Sequence, residues 1–289
     1  EMTEVERALY SHIIEQCNVG QPASVRANGL SALEVLAELR KCIVHPTLVS
    51  AKASNGFPTD NMGRVVEESG KLIALRELFR QCGIGVSEDY EIDDCAAQES
   101  ESSLTDAHRA LVFCQRLSTV QLIADLIDAG QLGSNIRYSV LDGTVPVNQR
   151  HSVAEVFNRD VGIDLLLLTT SVGGEGLNLT GADVVIFVEH DWNPIKDLQA
   201  MDRAHRIGQK RTVNVYRLIT KSSIEEKIMR YQKFKSDTAN ALVGADNRSL
   251  QTMATEQLVE LLPLMVLVLH QIAFRSLLAN QKRKLPKHL

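Results

Sequence analysis

Apolar positions recur at helical spacing through the first third of the chain and fall in short unbroken runs through its middle. Val5, Ala8, Leu9, His12 and Ile13 trace one helix, and Leu33, Leu36, Leu39, Ile43 and Val44 a second that Pro46 stops. Asn55, Gly56, Pro58, Asp60, Asn61 and Gly63 form a loop cluster, and Leu72, Leu75, Leu78 and Phe79 predict a helix from Ser69 to Cys82. From Arg109 the period changes. Runs at Ala110–Cys114, Ile136–Leu141, Ile163–Thr169, Val184–Val188 and Val213–Ile219 predict strands. Helical-period segments at 118–129, 148–158, 194–207 and 222–235 alternate with them. Apolar strands alternating with helices imply an α/β fold, a parallel sheet covered on both faces. Ligands on such sheets bind beyond the carboxyl ends of the strands, so the loops there are the first place to look for function.

Composition adds boundaries. At 289 residues the chain suggests two domains or one large α/β unit with attachments. The net charge of −5 is no signature of nucleic-acid binding, but it is uneven. Residues 81–108 carry eight acids and no Lys or Arg, so the remaining body is slightly basic. This acidic stretch has few large apolar residues and is expected to be a solvated, mobile insertion. The expected division is a helical segment at 1–82, the insertion at 83–107, an α/β lobe at 108–235 and a C-terminal extension at 236–289. Five scattered cysteines (Cys17, Cys42, Cys82, Cys95 and Cys114) form no Cys-x-x-Cys pair and suggest neither a disulfide framework nor a zinc site. The longest apolar run near the C-terminus, Leu264–Leu269, is far short of a membrane span. The chain opens at Glu1 with no secretory signal and is expected to be an excised piece of a longer protein.

Two segments could carry chemistry. Thr169 and Thr170 follow a strand and lead into Gly173, Gly174, Glu175, Gly176 and Asn178. Three glycines in four positions let backbone N–H groups approach a phosphate, although the same sequence serves as a flexible turn, and Glu175 would repel an anion. Asn193-Pro194 looks like a helix start, and a helix reaching residue 207 would align Gln199, Arg203 and Arg206 on one polar stripe. Ile195, Leu198 and Met201 would then face the sheet. Such a stripe is either a solvated face or a set of guanidinium forks for phosphate oxygens. Ser69-Gly70-Lys71-Leu72 superficially resembles a phosphate-binding loop, but Val65 and Leu72 stand where that motif needs Gly and Ser or Thr. The eight histidines show no metal-ligand spacing, so no metal site is expected in this chain. Trp192 could stack on a base or fill a core, and the Lys282-Arg283-Lys284 tail could be an import signal or a solubilising end.

Together these residues resemble the second RecA-like lobe of superfamily 2 ATPases of the Swi/Snf branch. Leu39-Arg40-Lys41-Cys42 with His45-Pro46, Ser69-Gly70-Lys71-Leu72, Val112-Phe113-Cys114-Gln115 and Leu141-Asp142-Gly143 with Arg150 are similar to successive elements of that lobe. Thr169–Asn178 resembles its motif V, with Glu175 where the family has an apolar residue, and Gln199–Gln209 resembles motif VI almost letter for letter. Glu189–Pro194, Gln232–Lys235 and Leu250–Met253 are similar to the subfamily that strips TATA-binding protein from promoter DNA. The resemblance implies that ATP, with magnesium, sits between this lobe and a first RecA-like lobe of the same polypeptide that supplies the metal ligands. It implies Arg206 and Arg203 as catalytic, with Arg206 the arginine finger. It also implies Gln199, Gly174 and Gly176 beside them in ATP binding, and Thr169, Thr170, Gly173 and Asn178 as contacts to double-stranded DNA. Ser222–Lys235 would brace the lobes. A nuclear location and no membrane attachment follow, with a nucleosome remodeller or a catalytically silent scaffold lobe as alternatives.

Overall fold

The computed structural model describes residues 1–15, 32–54, 65–85, 108–173 and 176–243. The loop expected near residue 55, most of the acidic stretch, Gly174, Glu175, Cys17, Cys95 and everything after residue 243 lie outside them. The chain divides into two compact units, Glu1–Arg230 and Tyr231–Leu289.

The first unit is built on five parallel strands: β1 (Ala110–Cys114), β2 (Tyr138–Leu141), β3 (Leu165–Thr169), β4 (Val184–Phe187) and β5 (Asn214–Arg217). Their spatial order is β2-β3-β1-β4-β5, with Val112 level with Leu167 on one side and Ile186 on the other. All five predicted strands are present, each within two residues of its expected start and end. The three inner strands are buried at every position, because parallel crossovers place helices on both faces.

Alternate side chains feed two separate cores, as the pleat requires. Ala110, Val112, Cys114, Leu165, Leu167, Val184 and Ile186 pack with α4 (Gly70–Gln81) and α5 (Leu117–Asp128). Leu111, Phe113, Leu166, Leu168, Val185 and Phe187 pack on the other face with α6 (Val147–Arg159), the short α7 (Thr170–Gly173) and α8 (Pro194–Met201). Phe113 and Phe187 stack there with centroids 5.1 Å apart. Before the sheet lie α1 (Glu4–Glu15), α2 (Ala32–Cys42) and the one-turn α3 (Ala51–Ser54); α9 (Ile224–Val243) follows it.

Two helix faces differ from the sequence expectation. On α2 the buried apolar residues are Val35, Leu39 and Cys42, and Leu33 is 42% exposed. On α8 the fully buried positions are Asp197 and Ala200, while Ile195 and Leu198 are 57% and 43% exposed. Helix α8 also ends at Met201 rather than 207, with Asp202 as its C-cap and turns from 202 to 208. Gln199, Arg203 and Arg206 are therefore not a stripe on one helix. Small Ala200 and Ala204 let the backbone come close to the sheet, and the chain unwinds as it crosses the rim.

Candidate active site at the carboxyl rim of the sheet

The ends of β1, β3 and β4 are joined by a polar frame. The Glu189 carboxylate, just after β4, accepts from the backbone N–H groups of Gln115 (3.0 Å) and Arg116 (3.2 Å) and from the Arg116 guanidinium. Gln115 Nε2 donates to Thr170 Oγ1 at 3.0 Å, and that hydroxyl donates to the Cys114 carbonyl at 3.2 Å. Ser171 Oγ donates to Thr169 Oγ1 at 3.2 Å. Thr169 and Thr170 are 6% and 4% exposed. Both hydroxyls are engaged within the rim, where Thr169 and Thr170 brace the start of the glycine loop. Asn178 is exposed, and Gly173 closes α7.

Motif VI folds onto the far side of the glycine loop. Leu179 N–H donates to the Arg203 carbonyl at 3.0 Å, and Arg206 Nη1 donates to the Gly176 carbonyl at 3.0 Å. Gly176 takes φ +81° and an added Cβ would sit 4.0 Å from Arg203 Nη1, so the two arginines and this glycine share one corner. Arg203 is half-buried and Arg206 exposed. Burial, and next the neighbouring Arg206 charge, push the Arg203 guanidinium below its ordinary pKa, with Asp202 opposing. Two like charges held together with one partly desolvated create a place that an anion stabilises. Gln199 is exposed on the last turn of α8. The structure thus gathers Arg203, Arg206 and Gly176; it does not describe Gly174.

Comparison with known proteins fits this arrangement. Residues 95–208 match the helicase conserved C-terminal domain. The chain is 47% identical over 239 residues to TATA-binding protein-associated factor 172 of Homo sapiens, covering 80% of this chain and 12% of that protein. It is 51% identical over 241 residues to TATA-binding protein-associated factor MOT1 of Saccharomyces cerevisiae, covering 79% and 13%. Protein CHROMATIN REMODELING 5 of Arabidopsis thaliana is 32% identical over 241 residues, covering 81% and 12%. In structure, the C-terminal part of the Fun30 ATPase domain superposes with a TM-score of 0.61 at 22% identity, covering 80% of this chain and 86% of that one, which supports the fold alone. This is the C-terminal lobe of a Swi2/Snf2-branch ATPase. The chain spans about an eighth of the length of these three relatives.

Several groups that organise the lobe's rim carry no motif-level signal of their role. Lys71 of the Ser-Gly-Lys-Leu element is buried, donating to the Val188 carbonyl at 2.8 Å and to Glu225 Oε1 at 2.6 Å. It binds α4 to the end of β4 and to the first turn of α9. Asp197, wholly buried, accepts from Asp191 N–H at 3.3 Å and lies 3.8 Å from the buried His190 ring, whose carbonyl accepts from Arg40 at 2.6 Å. Gln209 lashes the end of motif VI to the Thr180 and Ala182 carbonyls of the segment leading into β4. The one available signal for Lys71 and Asp197 was their place in otherwise apolar helical faces.

Proposed function

We propose that this chain is the second lobe of an ATP-dependent double-stranded-DNA translocase that displaces TATA-binding protein from promoter DNA in the nucleus. The observation that carries the reading is the corner formed by Arg203, Arg206 and Gly176. Closure of a first lobe against it would bring the Arg206 fork to the phosphates, where it stabilises charge developing on the transferring group. Arg203 holds the neighbouring oxygens and Gln199 borders the nucleotide. ATP with magnesium supplies the phosphoryl transfer that drives movement. In this reading the magnesium ligands come from the first lobe. Asn178 and the Gly173 backbone face DNA phosphates, with Thr169 and Thr170 holding that loop in place; phosphate contacts suit an engine indifferent to sequence. The higher identity to TATA-binding protein-associated factors than to the chromatin remodeller favours TATA-binding protein over a nucleosome as cargo.

The test uses the full-length parent protein. Arg206→Ala should lower DNA-stimulated ATP turnover by roughly 10³–10⁵-fold and abolish release of TATA-binding protein from TATA-box DNA in a gel-shift assay. Unchanged turnover would favour the scaffold alternative, and nucleosome sliding without TATA-binding-protein release would favour the remodeller. The 289-residue chain alone should hydrolyse no ATP.

A further inference from the structure

The turn that carries Arg206 has no helix to hold it. After Met201, isolated backbone bonds link Arg203 to Ala200, Ala204 and His205 to Met201, Arg206 to Ala204 and Gln209 to Arg206, and Gly208 takes φ +108°. Ala204 is fully buried in the core beneath the sheet's rim, whereas Arg206 and Ile207 are exposed. The arginine therefore hangs between two fixed points, and the second is Gln209. Its Nε2 donates to the Ala182 carbonyl at 2.7 Å and is shared by the Thr180 and Ala204 carbonyls at 3.3 Å each; its Oε1 accepts from Arg211 N–H at 3.0 Å. Three carbonyls on one side and an N–H on the other leave one orientation for the amide. The bond to Ala204 closes the 204–209 turn on itself, and those to Thr180 and Ala182 tie it to the segment following motif V. Arg206 Nη1 rests on Gly176 and Leu177 of that same segment.

We propose that Gln209 is the positioning residue for Arg206, making the arginine turn and the Gly176–Ala182 segment one rigid piece that moves together when the lobes close. This rests on the reading of Arg206 as the arginine finger. Its contribution falls on the transition state, because a finger misplaced by the length of a bond still permits nucleotide to bind.

Gln209→Met keeps the length of the side chain and removes both donors and the acceptor. In the full-length parent, kcat for DNA-stimulated hydrolysis should fall roughly tenfold to hundredfold, with KM for ATP within about twofold of wild type. Gln209→Glu keeps the acceptor for Arg211 N–H but sets a carboxylate against three carbonyls, so its kcat should fall at least as far. A Gln209→Met protein with wild-type kcat, or with KM alone raised, overturns the proposal. Should that variant fail to fold, a Gln209→Glu protein with wild-type kcat overturns it. Arg206→Ala measured in parallel separates the two claims. If it is inactive while Gln209→Met is normal, the finger stands and the positioning role falls; if it is fully active, the finger reading itself fails.

Discussion

Replacing Lys71 by Met tests how the rim is held to the rest of the lobe. The ammonium is 2.6 Å from Glu225 Oε1 and 2.8 Å from the Val188 carbonyl, and the two side chains are only 1% and 3% exposed. Without it, the Glu225 carboxylate keeps the Thr220 N–H at 2.9 Å, and the Val188 carbonyl loses the Lys71 donor. Removing one member of a buried pair costs about 3–5 kcal/mol, because an uncompensated charge remains out of water. In a chain of this size each kcal/mol moves the unfolding midpoint by about 2–4 °C, so the expected drop is about 6–20 °C. The double variant Lys71→Met, Glu225→Gln keeps an acceptor for Thr220 N–H and offers an amide donor to the Val188 carbonyl. It should recover most of the loss, since a neutral replacement of a buried pair is often nearly without cost. Thermal and urea unfolding of the 289-residue chain, followed by circular dichroism, measures all four corners of the cycle. A Lys71→Met protein within about 1 kcal/mol of wild type, or a double variant no better than the single one, would refute the argument.

Two further outcomes follow from buried ionisable groups. Burial pushes the Asp183 carboxyl up, but His108 at 2.6 Å, the Arg109 N–H at 3.1 Å and Arg211 at 3.3 Å together outweigh it and hold its pKa below the ordinary 3.8. A folded-state pKa lowered in this way gives stability that is full above 3.8 and is lost as pH falls through the folded value, so the unfolding-midpoint gap between wild type and Asp183→Asn should narrow below about pH 3.8; a gap independent of pH would refute it. Burial raises the thiols of Cys42, Cys82 and Cys114 above their ordinary pKa, so native protein treated with iodoacetamide at neutral pH should show all three unmodified by peptide mass mapping, and modified after denaturation.

The sheet was legible because its three inner strands are almost wholly apolar: Leu165–Leu168 has no polar position to expose, and the alternation of strand and helix points to a parallel sheet. The start of α8 was legible for the same kind of local reason, since Asn193 Oδ1 accepts from Ile195 N–H at 3.2 Å and Pro194 occupies the first helical position. Its end was not. No Gly or Pro interrupts 195–207, and local propensity alone would carry the helix through Arg206. The tertiary bond that accompanies the break is Leu179 N–H donating to the Arg203 carbonyl at 3.0 Å, which takes that carbonyl out of the helical ladder. The burial of Asp197 in place of Ile195 and Leu198 is tertiary as well. A carboxylate fits under α8 because Asp191 N–H and His190 are brought there by the end of β4, and periodicity carries no trace of that distant partnership.

The Ser69-Gly70-Lys71-Leu72 element has phosphate-binding residue types but spends them on structure. A helix N-terminus with a glycine and a lysine has the groups an anion needs. Here each is consumed from within. The Glu6 carboxylate of α1 accepts from Gly70 N–H at 3.1 Å and Thr3 N–H at 2.8 Å, occupying the place of the anion. Burial pushes that carboxyl above its ordinary pKa, against the pull of those bonds. Ser69 Oγ caps Leu72 N–H at 3.2 Å and donates to the Val44 carbonyl at 2.7 Å, and Lys71 reaches away to Glu225. The same chemistry that would grip a nucleotide instead fastens α1, α2, α4 and the start of α9 to one another. With that N-terminus closed, the donors proposed to meet phosphate are the forks of Arg203 and Arg206. Two forks alone do not enclose a triphosphate, so the proposed chemistry requires a second surface closing over them.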